Sequence, residues 1–175
     1  MLVYHGGIVK IEKPKVDQSR QRIDFGQGFY TTTLKSQAEK WAKNKSRITK
    51  KSIAKADSMP IVNVYDYTVD SHLHTKKFKG YNEEWLMFVV NSRRGIFDPS
   101  IFGYDVIEGN IADDAVVEVV NNLIEQIERG RLSDAIISAA LQELEYQQEN
   151  DQICFKTKKS LEYLKFKKCY EVENA

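Results

Sequence analysis

"FGQGFYTTTLKSQAEKWA" spans residues 25–42 and contains the local signals on which the interpretation of the fold depends. Gly26 and Gly28 are typical of a tight turn, and the aromatic and threonine run that follows, through Thr33, favours a β-strand. The apolar residues then recur at helical spacing, which predicts a helix over residues 34–45. Thr33 is suitably placed to cap that helix. The stretch therefore predicts a turn, a strand and a helix in direct succession.

The rest of the chain alternates between short strands and helices. Strands are predicted over residues 2–4, 61–69, 104–109, 152–157 and 165–172. Helices are predicted over residues 83–93, from Asp113 or Asp114 to Arg129, from Ser133 to about residue 147, and over residues 159–164. The regular alternation of residues 61–69 predicts a half-buried strand. This mixed order favours an α+β class with a largely antiparallel sheet, and 175 residues favour one domain, residues 1–175.

Charge is distributed unevenly, although the formal net charge of the whole chain is only +1. Residues 35–55 contain eight basic residues and one acid, whereas residues 105–151 contain twelve acids and two arginines. Residues 156–168 are again basic, with six lysines and one glutamate. These segments are either solvated helix faces or surfaces that attract a polyanion.

Cysteine use and the chain start predict a cytoplasmic protein. Cys154 and Cys169 lie in apolar runs without metal-binding spacing, so buried free thiols are expected. The first residues lack the basic and apolar regions of a secretion signal. No apolar run approaches the roughly 20 residues of a membrane span.

"YHGG", residues 4–7, places polar chemistry at the end of a predicted strand. His5 can offer a ring nitrogen to a hydroxyl, and Gly6 lets a flat ligand approach the backbone. The alternative is that His5 is a packed residue at a strand end. Tyr30 and Trp41 can likewise sandwich a planar ring or belong to the core. The chain lacks the motifs of P-loop, dinucleotide-binding, zinc-protease and serine-hydrolase sites, and His72 and His74 are expected in a surface loop.

Taken together, "VYHGG" and "DFGQGFYTTTLKSQAEKWA" resemble the diphtheria-toxin-like ADP-ribosyltransferases, whose site contains a histidine, a tyrosine and a glutamate. The resemblance is greatest to an uncharacterised bacterial branch described only as a domain of unknown function. It covers about the first quarter of the chain well, and the later helices and strands more loosely. It implies an α+β, ADP-ribosyltransferase-like split β-sandwich of two small, mainly antiparallel sheets with flanking helices.

The resemblance also implies roles for individual residues toward NAD, the substrate of that family. His5 would bind a ribose hydroxyl, and the backbone of Gly6 would pair with the nicotinamide carboxamide. Tyr30 would stack on the nicotinamide ring, with Trp41 on its other face. No metal is implied. The remaining residues expected to line the site are Thr31 and Thr32.

Position 152 departs from the family pattern. In "NDQICFKT", residues 150–157, Gln152 stands where the family has a glutamate that binds the 2′-hydroxyl of the nicotinamide ribose. A glutamine carbonyl can accept that hydrogen bond, but it lacks the charge that stabilises an oxocarbenium-like transition state. Strand alternation places Asp151 on the opposite face, and Glu149 would need a bulge to reach the site. Gln152 can also be an ordinary residue of an edge strand.

The expected function is transfer of ADP-ribose from NAD to an intracellular macromolecule, in a toxin-like or regulatory role. Gln152, His5 and Tyr30 are the expected catalytic residues. The target can be a protein or a nucleic acid, and an inhibitory antitoxin protein is a second candidate partner. Two alternatives are a catalytically weak or inactive NAD-binding module of the same fold, and an NAD glycohydrolase that uses water as the acceptor.

Replacing Gln152 by glutamate tests its placement. If position 152 is the glutamate position, Gln152→Glu is expected to raise nicotinamide release from NAD, because a carboxylate stabilises the cationic sugar. By analogy with oxyanion-hole donors, one such electrostatic interaction is worth roughly 10²–10³ in rate. The measurement is the initial rate of nicotinamide release at neutral pH, and an unchanged rate would contradict the placement.

Overall fold

The computed structural model describes residues 1–52, 58–96, 103–112, 114–145 and 150–173. The strands are β1 (Leu2–Gly7), β2 (Phe29–Thr31), β3 (Ile61–Tyr67), β4 (Thr75–Lys77), β5 (Val106–Gly109), β6 (Gln152–Phe155) and β7 (Leu164–Glu171). The helices are α1 (Lys35–Ser52), α2 (Glu83–Arg94), α3 (Asp114–Glu128), α4 (Asp134–Leu144) and α5 (Lys158–Leu161), with a 3-10 turn at Val16–Gln18.

The strands form two small sheets. The first is antiparallel and has the order β1–β3–β7. The second has the order β2–β6–β5–β4, in which the β4–β5 pair is parallel and the other pairs are antiparallel. Helix α1 packs on the outer face of the first sheet, and α2, α3 and α4 cover the outer face of the second. The predicted α+β class with mainly antiparallel sheets and flanking helices is therefore confirmed.

The two sheets are joined where β1 passes the end of β2. The amide of Tyr4 donates to the Thr32 carbonyl at 2.8 Å, and the amide of Thr32 donates to the Tyr4 carbonyl at 2.9 Å. Beyond this bridge, aromatic side chains fill the space between the sheets, and Tyr67 meets Phe155 edge to face at 4.9 Å. Such edge-to-face pairs add to the free energy gained by burying their area.

Strand β3 is buried on both faces, so the prediction of a half-buried strand is wrong. Val62 and Val64 lie under α1, whereas Tyr65 and Tyr67 face the second sheet. Asn63 is buried because its amide binds the backbone of the loop that follows β1. The alternating residues of β3 therefore face two buried environments, α1 on one side and the second sheet on the other. The strand is central because it pairs with β1 and β7, which are distant in the sequence.

Two elements of the opening stretch differ in length from their predictions. The strand predicted through Thr33 ends at Thr31, because Thr32 pairs with Tyr4 of the other sheet and Thr33 binds the Asp151 side chain. Helix α1 continues to Ser52 rather than ending near residue 45. Residues 45–52 contain four lysine and arginine residues, which are good helix formers.

Predictions further along the chain have mixed outcomes. His72 and His74 lie in an exposed loop, as predicted. The loop leads into β4, a strand that the sequence did not predict and that pairs with β5 over a long sequence separation. The predicted cap at Ser133 is confirmed, since its side chain accepts the Ile136 amide. The helix predicted to begin at Asp113 or Asp114 is α3, which begins at Asp114. Asp113 lies outside the described residues.

Helix α1 approaches β1 most closely at Gly6. A Cβ atom at this position would lie 2.1 Å from the Ala38 carbonyl oxygen and 2.8 Å from the Ala42 amide nitrogen. Both are backbone atoms of α1, so neither can move away as a flexible side chain would. Gly6 therefore sets the distance between α1 and the first sheet.

Gly6→Ala is expected to destabilise the fold while Gly7→Ala is tolerated. Gly6→Ala should lower the free energy of unfolding by about 3 kcal/mol, near the upper end of overpacking costs. At Gly7 the nearest atom to an added Cβ is in the His5 ring at 3.5 Å, an ordinary contact. Urea denaturation of both variants provides the measurement, and equal losses would argue against the contact with α1.

Candidate functional site

Strands β1 and β2 part immediately after the Tyr4–Thr32 bridge. Continuing this antiparallel register would pair Gly6 with Tyr30, yet no backbone hydrogen bond joins these two residues. In an antiparallel strand, the N–H and C=O groups of every second residue point to the same edge of the strand. The backbone groups of Gly6 therefore point toward β2 as those of Tyr4 do, and the backbone groups of Tyr30 point toward β1 as those of Thr32 do. We call the opening the β1–β2 gap.

Backbone groups in the β1–β2 gap lack the partners that a continuous sheet would supply. Outside the strand ladders, the amide and carbonyl of Gly6 and the amide of Tyr30 form no hydrogen bond with any described residue. The Tyr30 carbonyl is bound by the His5 side chain instead, at 2.7 Å. Unpaired backbone groups near the interior are uncommon and need a partner such as water or a ligand. The gap therefore has the hydrogen-bonding capacity to take up an amide.

His5 is held in one orientation beside the gap. Because a carbonyl only accepts hydrogen bonds, Nδ1 carries the hydrogen and donates it to the Tyr30 carbonyl. The ring stacks on Phe29 at 4.6 Å between centroids. In this tautomer Nε2 is an acceptor, and no described residue donates to it. His5 is thus both packed and able to accept a hydrogen bond from a hydroxyl, so the two sequence interpretations are compatible.

Burial lowers the pKa of His5 from 6.5 to about 4, while the bond to the Tyr30 carbonyl opposes this shift and the Lys45 ammonium adds to it. The folded protein therefore keeps His5 neutral at physiological pH. A neutral ring retains the Nε2 lone pair, which protonation would remove. Lys45 also shows that the basic helix α1 extends its field to this side of the gap.

Tyr30 contributes its carbonyl to the gap but directs its ring elsewhere. Its ring packs against the core formed with α2 and α3, on the side of the second sheet away from Phe29. The hydroxyl donates to the Gly26 carbonyl at 2.6 Å and accepts the Phe25 amide at 3.1 Å. Burial raises the pKa of Tyr30 well above its usual value. The structure thus brings His5 to the backbone of Tyr30, not to its ring.

Trp41 lies on α1 next to Gly6. Its Cβ is 3.0 Å from the position that a Cβ at Gly6 would take, and its side chain is partly exposed. No aromatic ring among the described residues stacks on it. Trp41 is thus near the backbone of the gap, while the predicted sandwich with the Tyr30 ring stays a prediction.

The threonine run is fixed by Asp151. The hydroxyls of Thr32 and Thr33 both donate to the Asp151 carboxylate, and the Thr33 amide donates to it at 3.0 Å. Thr33 therefore does not cap α1 as predicted; Thr32 accepts the Leu34 amide at 3.0 Å instead. The buried Thr31 hydroxyl is directed to the Ile153 carbonyl at 3.4 Å.

Asp151 and Gln152 point to opposite faces of β6, as strand alternation predicted. Asp151 binds the threonine run, whereas Gln152 is buried on the other face with 3% of its surface exposed. Since β6 lies between β2 and β5, the interpretation of Gln152 as an edge-strand residue is wrong. Glu149 lies outside the described residues.

The side-chain amide of Gln152 is anchored by two acceptors. Its Nε2 donates to the Asp24 carboxylate at 3.1 Å and to the Asn110 carbonyl at 3.0 Å. Asp24 is itself buried and paired with Arg93 at 2.6 Å. Neither Asp24 nor Arg93 belongs to a motif that indicates this network in the sequence. Asp24 directly precedes the Phe25–Gly26 turn, but nothing in its neighbourhood indicates a partner 69 residues away.

A cleft of about 780 Å³ runs past the start of β6 and contains Gln152, Asp151 and Thr33 among its lining residues. It is bounded on the other side by the loop after β3 and by β4. A second cleft of about 570 Å³, between residues 12–17 and α5, contains none of the predicted site residues. Gln152 therefore borders the larger cleft, whereas His5, Gly6 and Tyr30 are not among the described residues that line it.

Two further features bear on the chemistry of the site. Burial raises the pKa of the Cys154 thiol to about 12, so this cysteine is a packed group rather than a nucleophile. Cys169 is also a free thiol, but it is partly exposed rather than buried. Across the described ranges, His, Cys, Asp and Glu side chains form no cluster able to hold a metal, and no helix is long and apolar enough to cross a membrane.

Comparison with known proteins defines the family of the chain. Residues 1–166 match the family described as "Protein of unknown function (DUF3990)". Because the match covers nearly the whole chain, the protein belongs to this family. No curated protein and no solved structure matches the chain.

The protonation state of His5 can be measured directly. An unfolded histidine takes up a proton near pH 6.5, whereas folded His5 does so near pH 4. As pH falls, the unfolded state therefore takes up the proton before the folded state does. The stability that neutral His5 gives the folded state is complete above pH 6.5 and is lost between pH 6.5 and about pH 4. His5→Gln should lack this loss. NMR titration of the imidazole signals is the measurement, with exposed His72 as reference; a His5 transition near pH 6.5 would contradict the assignment.

Proposed function

We propose that the protein is an NAD-dependent ADP-ribosyltransferase that modifies an intracellular macromolecule. The observation that carries the proposal is the β1–β2 gap, in which the backbone groups of Gly6 lie beside a neutral His5. This arrangement agrees with the roles that the sequence resemblance implies for the two residues. This support does not depend on the rings of Tyr30 and Trp41, because it rests on the backbone of Gly6 and the side chain of His5.

The gap suits a planar primary amide. The nicotinamide carboxamide would accept from the Gly6 amide and donate to the Gly6 carbonyl, replacing the strand pairing that β1 and β2 do not make there. His5 Nε2 would accept a hydrogen bond from a ribose hydroxyl. Each of these bonds would satisfy a group that has no hydrogen-bond partner among the described residues.

The proposed reaction exchanges one bond at C1′ of the nicotinamide ribose. The bond from C1′ to the nicotinamide nitrogen breaks, and its electron pair leaves with neutral nicotinamide. A nucleophile of the target forms the new bond to C1′ and loses its proton. In this scheme Oε1 of Gln152 accepts the 2′-hydroxyl without supplying negative charge, so transfer would be slower than with a carboxylate.

A second candidate function is favoured by Gln152 itself. A neutral side chain at this position, held by Asp24, fits an NAD-binding module of low or no transfer activity. Incubation with NAD labelled in the adenylate part and a cell lysate separates the candidates. Labelled macromolecules support the transferase, and binding without nicotinamide release supports the module. Free ADP-ribose without a target supports an NAD glycohydrolase.

The surface of α1 bears on the choice of target. Most of its side chains beyond Ser36 are basic or polar, and a shallow depression of about 540 Å³ is lined by Lys43, Arg47 and Lys50. Such a surface favours an acidic macromolecule, either nucleic acid or an acidic protein, and the same charge would attract an acidic inhibitory antitoxin. Binding that weakens steeply with added salt would support this.

His5→Ala is expected to weaken NAD binding about fivefold, because one hydrogen bond to a ribose hydroxyl is worth about 1 kcal/mol. Isothermal titration calorimetry with NAD gives the dissociation constant. His72→Ala is the matched control, since His72 is exposed and bound to Asp70. Tyr30→Phe keeps the ring but loses the hydroxyl bonds to the Phe25–Gly26 turn, so its stability must be measured beside its affinity. Equal affinity of wild type and His5→Ala would remove His5 from the site.

A further inference from the structure

We infer that Asp24 is a positioning residue for Gln152, and that it dictates an amide rather than a carboxylate at position 152. The role of the positioned oxygen toward NAD rests on the proposed function. The geometry that fixes the amide does not, because it depends only on contacts within the chain.

Asp24 uses both carboxylate oxygens in a buried network and is 6% exposed. Oδ1 accepts from the Arg93 guanidinium, at 3.0 Å from Nε and 2.6 Å from Nη2. Oδ2 accepts from the Ala112 amide at 2.9 Å and from Gln152 Nε2 at 3.1 Å. Because Oδ2 receives hydrogens from two N–H groups, it acts as an acceptor toward Gln152.

The two partners of Nε2 determine which way the Gln152 amide points. Asp24 Oδ2 and the Asn110 carbonyl are both acceptors, and Nε2 has two hydrogens to give them. The reversed amide would place Oε1 against two acceptors, with no hydrogen between it and either of them. Oε1 is therefore directed away from Asp24, and no described residue donates to it. Gln152 borders the 780 Å³ cleft with 3% of its surface exposed, and Oε1 is the side-chain atom that would accept a hydroxyl of a ligand there.

A carboxylate at position 152 is incompatible with the same surroundings. It would place one of its oxygens about where Nε2 lies, 3.1 Å from the Asp24 carboxylate and 3.0 Å from the Asn110 carbonyl. Two carboxylates this close cannot both be ionised without a large cost. Gln152→Glu alone therefore should not convert the site into an active glutamate site. The rise in nicotinamide release that the sequence predicts for Gln152→Glu is therefore expected only when position 24 is changed as well. An unchanged rate of the double variant, rather than of the single one, would then contradict the placement of Gln152.

The decisive experiment is a double-mutant cycle of Asp24→Asn and Gln152→Glu, with unfolding by urea followed between pH 4 and pH 8. At low pH the introduced carboxyl is protonated and can donate to Asp24, so Gln152→Glu should unfold much as wild type does. As pH rises through about 4.3, the unfolded chain loses this proton and the folded one retains it. At neutral pH the unfolding constant should be at least about tenfold larger than that of wild type. Exposed Gln142→Glu is the control.

The double variant keeps the charge of the network and replaces one acceptor by an amide donor. The double variant should therefore not lose stability as pH rises, as Gln152→Glu does. The coupling free energy between positions 24 and 152 should then increase with pH. A Gln152→Glu profile parallel to that of wild type, or a coupling that does not change with pH, would overturn the inference. If Asp24→Asn alone fails to fold, Gln152→Glu in the wild-type background still decides the point.

The effect of Asp24 on ligand binding is measured as the dissociation constant of NAD by isothermal titration calorimetry. Asp24→Asn should weaken NAD binding about tenfold, because the Gln152 amide is then free to reverse. Adding Gln152→Glu should restore most of that loss, which a purely structural role of Asp24 would not produce. No restoration would overturn the positioning role. If wild type binds no NAD, the proposed function fails, whereas the unfolding cycle still decides whether Asp24 fixes the amide.

Discussion

The two hydrogen bonds between Tyr4 and Thr32 are the constraint on which the site depends. They join the sheets at one point and fix the register of β1 against β2. Two residues further on the strands have already parted, so Gly6 and Tyr30 face each other without pairing. A continuous sheet would have satisfied these groups, and two separate sheets would have left them apart. Because the sheets join at one point and part at the next, backbone groups of Gly6 and Tyr30 stay unpaired at the β1–β2 gap.

Asp151 and Gly6 hold this joint in place from either side. Asp151 binds the threonine run directly before α1, where negative charge also suits the start of a helix. Gly6 lets α1 come so close that its backbone contacts β1. Together these contacts direct the basic helix along the first sheet, and Lys45 comes near enough to His5 to disfavour its protonation.

The buried pair of Asp24 and Arg93 serves orientation more than stability. A buried ion pair rarely stabilises a fold more than apolar residues of the same size would, because both charges must be dehydrated. Here the carboxylate also accepts the Ala112 amide and the Gln152 amide, so all of its bonds lie within the chain. This network connects Asp24 with Arg93 of α2 and Gln152 of β6, and so fixes their relative positions beside the cleft.

Local patterns in the sequence predicted much of the fold. The strand at residues 2–4, the turn at Gly26, the helix of Trp41 and the opposite faces of Asp151 and Gln152 all follow from short-range periodicity. The patterns missed β4, which is stable only through its pairing with β5. They also misjudged β3, because alternation does not show that α1 covers one face and the second sheet the other.

The sequence by itself determined the residues of the candidate site, because "YHGG", "GQGFYTTT" and Gln152 are readable without any contact. Only the tertiary structure decided what these residues face. It directs His5 to the backbone of Tyr30, turns the Tyr30 ring into the core, and sets Asp24 and Asn110 against the Gln152 amide. These relations join residues far apart in the chain, and the orientation of a hydrogen-bonding group depends on its partners in space rather than on its neighbours in sequence.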